Sequence, residues 1–190
     1  MSDDLYIGPT VLGPGPREPR ASGERVARLV LLPLLAMFGA IILVFFVLYQ
    51  PVRIDGPSML PTLRSADRVL ITRGTHDVQR GDVVVLVASE GGQSIELVKR
   101  VIGVPGDVVE VKGDVAYVNG AREPDRGQRV SGLESLSWEP VTVPKGNLFV
   151  MGDNRAQSED SRYIGTVPLS GVMGRVVAVF APIQRLHRVH

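Results

Sequence analysis

The sequence predicts a mostly β protein: an antiparallel, curved or barrel-like sheet domain preceded by one N-terminal transmembrane helix. Three observations carry this. Leu29 to Tyr49 is an apolar run of 21 residues without a charge. Downstream, short runs rich in Val and Ile are separated by Pro-Gly, Gly-Asp and Asn-Gly turn signals. Outside the apolar run no amphipathic helical period appears.

Residues 1–28 open the chain with little apolar periodicity, and the first 24 carry four Gly and four Pro. They are expected to form a disordered basic tail. Residues 29–49 have about the length that a helix needs to cross roughly 30 Å of hydrocarbon. Pro33 lies in the first turn or so, where it disturbs a helix least, and Tyr49 suits an interface. A cleavable signal peptide would have an apolar core of about 7–15 residues ending in small ones; this run is longer and ends Leu-Tyr-Gln-Pro. Arg17, Arg20, Arg25 and Arg28 precede the span, and only Arg53 follows closely. The positive-inside rule therefore puts the tail in the cytoplasm and residues 50–190 on the extracytoplasmic face of the cell membrane.

Within 50–190, strands are expected at 82–89 and 95–104, the second stopped by Pro105-Gly106. Tight hairpins follow around 108–112 and 115–118, turning at Gly113-Asp114 and Asn119-Gly120. Two more strands are expected at 147–151 and 174–183. Residues 121–140 are polar, hold the single Trp138, and read as an inserted loop or flap.

Composition excludes several chemistries. A net charge of +1 argues against a nucleic-acid partner. The absence of cysteine removes disulfides, thiolate metal sites and a cysteine nucleophile. The three histidines are His76, His187 and His190, the last two at the terminus, so a Ser-His-Asp triad has one candidate base. No metal site and no cofactor are expected.

Three stretches could carry chemistry. In "LVKRVI", Lys99 and Arg100 point to opposite faces of an apolar strand. One of the two therefore meets a dry environment unless the strand lies at an edge, where a lysine would serve against aggregation. Arginine stays charged under burial; lysine is driven toward its neutral amine, a base. In "PSMLP", Pro57 and Pro61 stiffen the segment around Ser58, leaving the N–H groups of Ser58, Met59 and Leu60 for an oxyanion; a simple turn serine is the alternative. In "MGDNRAQSEDSRYIG", Asp160 and Arg162 could form a charge-assisted clamp, and a solvated surface loop is the alternative there.

The order of these pieces resembles bacterial type I signal peptidases, which use a Ser/Lys dyad. The resemblance covers nearly everything from Leu29 onward: "PSMLPTL" is similar to the nucleophile box, "KRVIGVPGD" to the lysine box and "GDNRAQSEDSRYIG" to the C-terminal box. It implies Ser58 as nucleophile and Lys99 as general base. It implies Ser158 as the serine that hydrogen-bonds the lysine, Asp160 and Arg162 as a pair behind the site, and Asp153 as a further support. Gly56 departs from the many members that carry an oxyanion-hole serine there, although some Gram-positive-type members have glycine. The implied substrates are signal peptides of exported preproteins, cut after small residues in an Ala-x-Ala pattern. The lipid bilayer and the secretion machinery are the further partners implied. From Tyr49 to Ser58 the chain can span at most about 30 Å, so Ser58 stays near the membrane, with Met59, Leu60 and Trp138 as candidate lipid contacts. A specialised peptidase for pilus or conjugation substrates, a self-cleaving repressor-type Ser/Lys protein and a non-catalytic membrane-anchored binding domain are the rival readings.

Overall fold

The computed structural model describes residues 27–74, 78–90, 92–124 and 136–189, with Gly13, Gly15 and Gly23. The expected disordered tail and His76 lie outside these residues, apart from those glycines, Ala27 and Arg28. The chain divides into two compact units, Met1–Val44 and Phe45–His190.

A π-helical turn, Ala27–Leu31, runs into helix α1, Leu32–Leu48. The most apolar 18-residue stretch of Ala27–Leu48 has a mean hydropathy of 2.9, and no side chain of Ala27–Leu48 is buried. A helix apolar on every side gains nothing by facing water, and it is long enough to cross a bilayer. It ends one residue earlier than expected: Tyr49 opens a strand and pairs with Thr72. Pro51, two residues on, lacks the N–H that a continuing helix would need.

The second unit holds two antiparallel sheets. The strands are β1 Tyr49–Arg53, β2 Arg68–Arg73, β3 Val83–Glu90, β4 Gln93–Gly103, β5 Val108–Lys112, β6 Val115–Val118, β7 Ala121–Arg122, β8 Ser137–Thr142, β9 Asn147–Met151, β10 Val167–Pro168, β11 Val172–Ala181 and β12 His187–Arg188; a one-turn helix, α2, spans Ser161–Ile164. The larger sheet runs β1-β2-β11-β3-β4-β9-β10, with β12 on β11; the smaller runs β7-β6-β5-β8. The expected strands and the hairpin at Gly113-Asp114 form. The strands β1, β2, β10 and β12 were not anticipated.

The expected loop over 121–140 is corrected at its ends. Ala121 and Arg122 pair with β6, and Ser137 to Thr142 pair with β5; residues 125–135 lie outside the described residues. The missed strand carries Pro140 and Glu139, poor strand formers by propensity, and its register shifts between Val109 and Val111.

Curvature comes from β11. Val172–Arg175 pairs with β3 and Gly174–Ala181 with β2, with register shifts at Val172/Gly174, Val176/Ala178 and Val179/Ala181. Each shift bends the strand and raises its twist.

The large sheet is buried on both faces at β3. Val83 and Val85 enter a cluster with Ile54, Met59, Leu63 and Ile71, while Val84 and Leu86 enter another with Val101, Leu148 and Val150. Ile102, Phe149 and Met151 join the small sheet in a third. The first cluster matters for function, because it anchors the segment that carries Ser58.

Candidate active site

Ser58 is half-buried in a turn between β1 and β2. Met59 and Leu63 flank it, and both are buried in the first core cluster. These anchors fix the turn while leaving Ser58 accessible. Among the described residues, no hydrogen bond engages the N–H of Ser58 or Met59. The Leu60 N–H is used, donating to the Pro57 carbonyl at 3.1 Å. The expected set of three free donors is therefore two.

Lys99 and Arg100 sit in β4 between β3 and β9, so the edge-strand alternative falls. Both are buried, at 3% and 1% exposure. Arg100 is neutralised by Asp153, donating from Nε and Nη2 at 2.7 Å each, and its Nη1 donates to the Gly81 carbonyl at 2.5 Å. Lys99 has no such partner. Burial lowers its pKa from the ordinary 10.5; Asp160 and Glu159 oppose that and Arg162 reinforces it. The result is an amine shifted toward its neutral, proton-accepting form.

The β4–β9 register brings this lysine to the segment that carries Ser58. Arg100 pairs with Met151, so the next residue along each strand is Lys99 on one and Gly152 on the other. A Cβ placed on Gly152 would lie 2.5 Å from both the Ser58 carbonyl oxygen and Ser158 Cβ. Ser58 and Ser158 thus pack on the one residue whose lack of a side chain makes room for them. The next residues complete the junction. Asn154 donates its N–H to the Ser58 carbonyl at 2.9 Å and its side-chain amide to the Pro57 carbonyl at 3.2 Å. Thr62 donates to Asp153 at 2.5 Å.

The loop after β9 is held from behind. Asp160 accepts the Gly152 N–H at 3.0 Å and pairs in a fork with Arg162 at 2.8 and 2.9 Å. Both are buried, so the solvated-loop alternative falls as well. Ser161 accepts the Val150 N–H. Arg155 reaches the small sheet through Glu123 at 3.3 Å and the Asp114 carbonyl at 2.8 Å.

A family profile described as signal peptidase, peptidase S26, matches residues 26–181. The chain belongs to this signal peptidase family. Signal peptidase I P of Bacillus subtilis subsp. natto is 39% identical over 166 residues, covering 80% of this chain and 89% of its own. Signal peptidase I U of Bacillus subtilis strain 168 is 33% identical over 176 residues, covering 87% and 93%. A crystal structure of a signal peptidase I from Enterococcus faecalis V583 is 34% identical and aligns with a TM-score of 0.43 over 52% of this chain and 96% of that one. Signal peptidases of this kind are serine endopeptidases anchored in membranes, and the protein is an enzyme of that class.

Against the signal peptidase pattern, several expected positions differ. Ser158 Oγ is buried with no hydrogen-bond partner, so the expected bond to Lys99 is not formed in this structure. Met59, expected to touch lipid, is 1% exposed and part of the core. Trp138, the second candidate lipid contact, is half-buried; it packs against the third core cluster, edge-on to Tyr163 at 5.9 Å and 5.5 Å from the Arg162 guanidinium. Leu60 remains half-buried beside Ser58. Gly56 has φ +87° and open space where a Cβ would stand. Sequence reasoning missed Thr62, Gly152 and Asn154, and it did not pair Arg100 with Asp153. The signal for Arg100 was present: a buried guanidinium requires a nearby anion, and Asp153 directly follows an apolar strand.

Proposed function

We propose that the protein is a membrane-bound serine endopeptidase that removes N-terminal signal peptides from exported preproteins. Ser58 is the nucleophile and Lys99 the general base. The observation that carries this reading is Lys99 itself: a buried lysine without an ion-pair partner, beside the segment on which Ser58 is packed. Its neutral amine takes the Ser58 Oγ proton as Oγ attacks the carbonyl of the substrate's −1 residue. The N–H groups of Ser58 and Met59 face no competing acceptor and are available to the oxyanion. Lys99 then returns the proton to the leaving amine, and water releases the acyl-enzyme.

The substrate binds extended, adding a strand to the sheet, with small residues at −3 and −1. The N-terminus is cytoplasmic and the sheet domain extracytoplasmic, on the arginine asymmetry across the span. Leu60 is the remaining candidate for lipid contact near the nucleophile.

The test is cleavage of a preprotein with an Ala-x-Ala site, in detergent, by wild type, Ser58→Ala and Lys99→Ala. Cutting after the −1 residue by wild type alone supports the dyad. Equal cutting by all three overturns it.

A further inference from the structure

We propose that the protein carries a phospholipid site at the membrane exit of its sheet domain, recognising the headgroup phosphodiester through Arg175 and Arg188. A cavity of about 610 Å³ opens there, lined by Phe45, Tyr49, Asp82, Arg175, Ala178 and Arg188 among others. Phe45 is in the last turn of α1, and Tyr49 is the first residue after it. Their rings stack at 5.1 Å. Two residues of the lining thus belong to the stretch where the chain leaves the apolar helix, which is where lipid headgroups would be met.

Register brings the two arginines into this region. Arg175 pairs with Thr72, which pairs with Tyr49. Arg188 pairs with Ala178 from the other edge of β11, and the Val189 N–H donates to the Val177 carbonyl, so the chain's end turns back toward the same place. The two charges face a single carboxylate, Asp82, so one cationic charge is left over at the rim. Arg175 is 40% exposed and meets Asp82 only at 3.5 Å. Arg188 is exposed and forms no ion pair among the described residues. Guanidinium groups suit phosphate oxygens, and Phe45 and Ala178 offer apolar surface to an acyl chain. The site needs the span but not the dyad.

The test uses the full chain in detergent, read by native mass spectrometry. Phosphatidylglycerol, diacylglycerol and inorganic phosphate are added separately. Wild type should retain phosphatidylglycerol at about thirtyfold lower concentration than Arg175→Gln/Arg188→Gln, as two interfacial arginines predict. Ala178→Leu, which keeps both charges and fills the cavity, should also weaken retention. Equal retention by wild type and the double variant overturns the proposal. So does diacylglycerol held as well as phosphatidylglycerol, which would show that the phosphate is not read. Inorganic phosphate binding as tightly as the lipid overturns it too, by reducing the site to an anion site. If the double variant does not fold, Ala178→Leu carries the test, and unchanged retention there overturns the proposal. Ser58→Ala should bind the lipid like wild type, so loss of cleavage and loss of lipid binding are separable.

Discussion

Thr62 donates its hydroxyl to Asp153 at 2.5 Å, joining segments 91 residues apart. The same carboxylate holds Arg100 in a fork, one residue from Lys99. A single buried carboxylate thus ties the Ser58 turn to the Lys99 strand. Asp153→Asn should cost about 3–5 kcal/mol, because it leaves the Arg100 guanidinium buried without its anion. Thr62→Val removes one hydrogen bond to a charged group and should cost about 1.5–3 kcal/mol. Urea denaturation compares the two. Thr62→Val should lower kcat more than it raises KM, since it loosens the nucleophile's placement and touches no substrate.

Lys99 gives a pH signature. Burial sets its folded pKa below the ordinary 10.5. Between those two values the unfolded chain binds more protons than the folded one, so stability rises with pH across that window. Below the window the buried ammonium carries its full desolvation cost. Lys99→Met should therefore be more stable than wild type at neutral pH, with the advantage shrinking as pH climbs toward 10.5. The kcat/KM of wild type should rise with pH on a limb whose midpoint lies below 10.5, because the neutral amine is the proposed base. A stability difference that does not change with pH would contradict the desolvation argument.

Much of this was legible in the sequence, for a physical reason. Apolar runs bounded by Gly and Pro declare strands wherever both faces are buried, as at β3 and β4. The span from Leu32 declares itself by having no polar side. The Asp160–Arg162 pair was readable because its members are two residues apart. Arg100–Asp153 and Thr62–Asp153 were not, since their partners are 53 and 91 residues away and only the β4–β9 register brings them together. Met59 misled because exposure beside a nucleophile seemed natural for it. In the fold it is the anchor that leaves Ser58 accessible. Strand β8 was hidden by Glu139 and Pro140, residues that a peripheral strand tolerates and a local reading assigns to a loop.

Ser158 separates stability from catalysis. Its hydroxyl is buried and unpartnered, so Ser158→Ala should leave the melting temperature unchanged or slightly raised. If the hydroxyl engages Lys99 when substrate binds, as the resemblance to signal peptidases implies, kcat should fall by roughly tenfold or more, within the range of a general-base contribution. Unchanged kcat would remove Ser158 from the mechanism.

Gly152 should be intolerant of any side chain. A methyl there would stand 2.5 Å from the Ser58 carbonyl oxygen, which is backbone and cannot rotate away, and against Ser158 as well. Gly152→Ala must push the nucleophile turn outward. A displacement of about 1 Å can cost 10²-fold in rate, so cleavage should fall at least about a hundredfold while the core, and the circular dichroism spectrum, persist. Activity within a few-fold of wild type would mean that the nucleophile turn does not bear on this residue.

Gly56 poses the opposite case, in which space is free and the backbone is not. A Cβ there meets nothing within 4 Å, but φ is +87°, a conformation that costs an L-residue about 1–2 kcal/mol. Gly56→Ser and Gly56→Ala should lose stability by the same amount, because they share the strain. Only serine supplies a hydroxyl two residues before the nucleophile. Removing one oxyanion donor costs about 10²–10³ in rate elsewhere, so a serine hydroxyl that reaches the oxyanion should place its kcat at least about tenfold above that of the alanine variant. The matched pair cancels the strain and leaves the hydroxyl as the difference. Equal kcat values would show that backbone N–H groups alone hold the oxyanion in this enzyme.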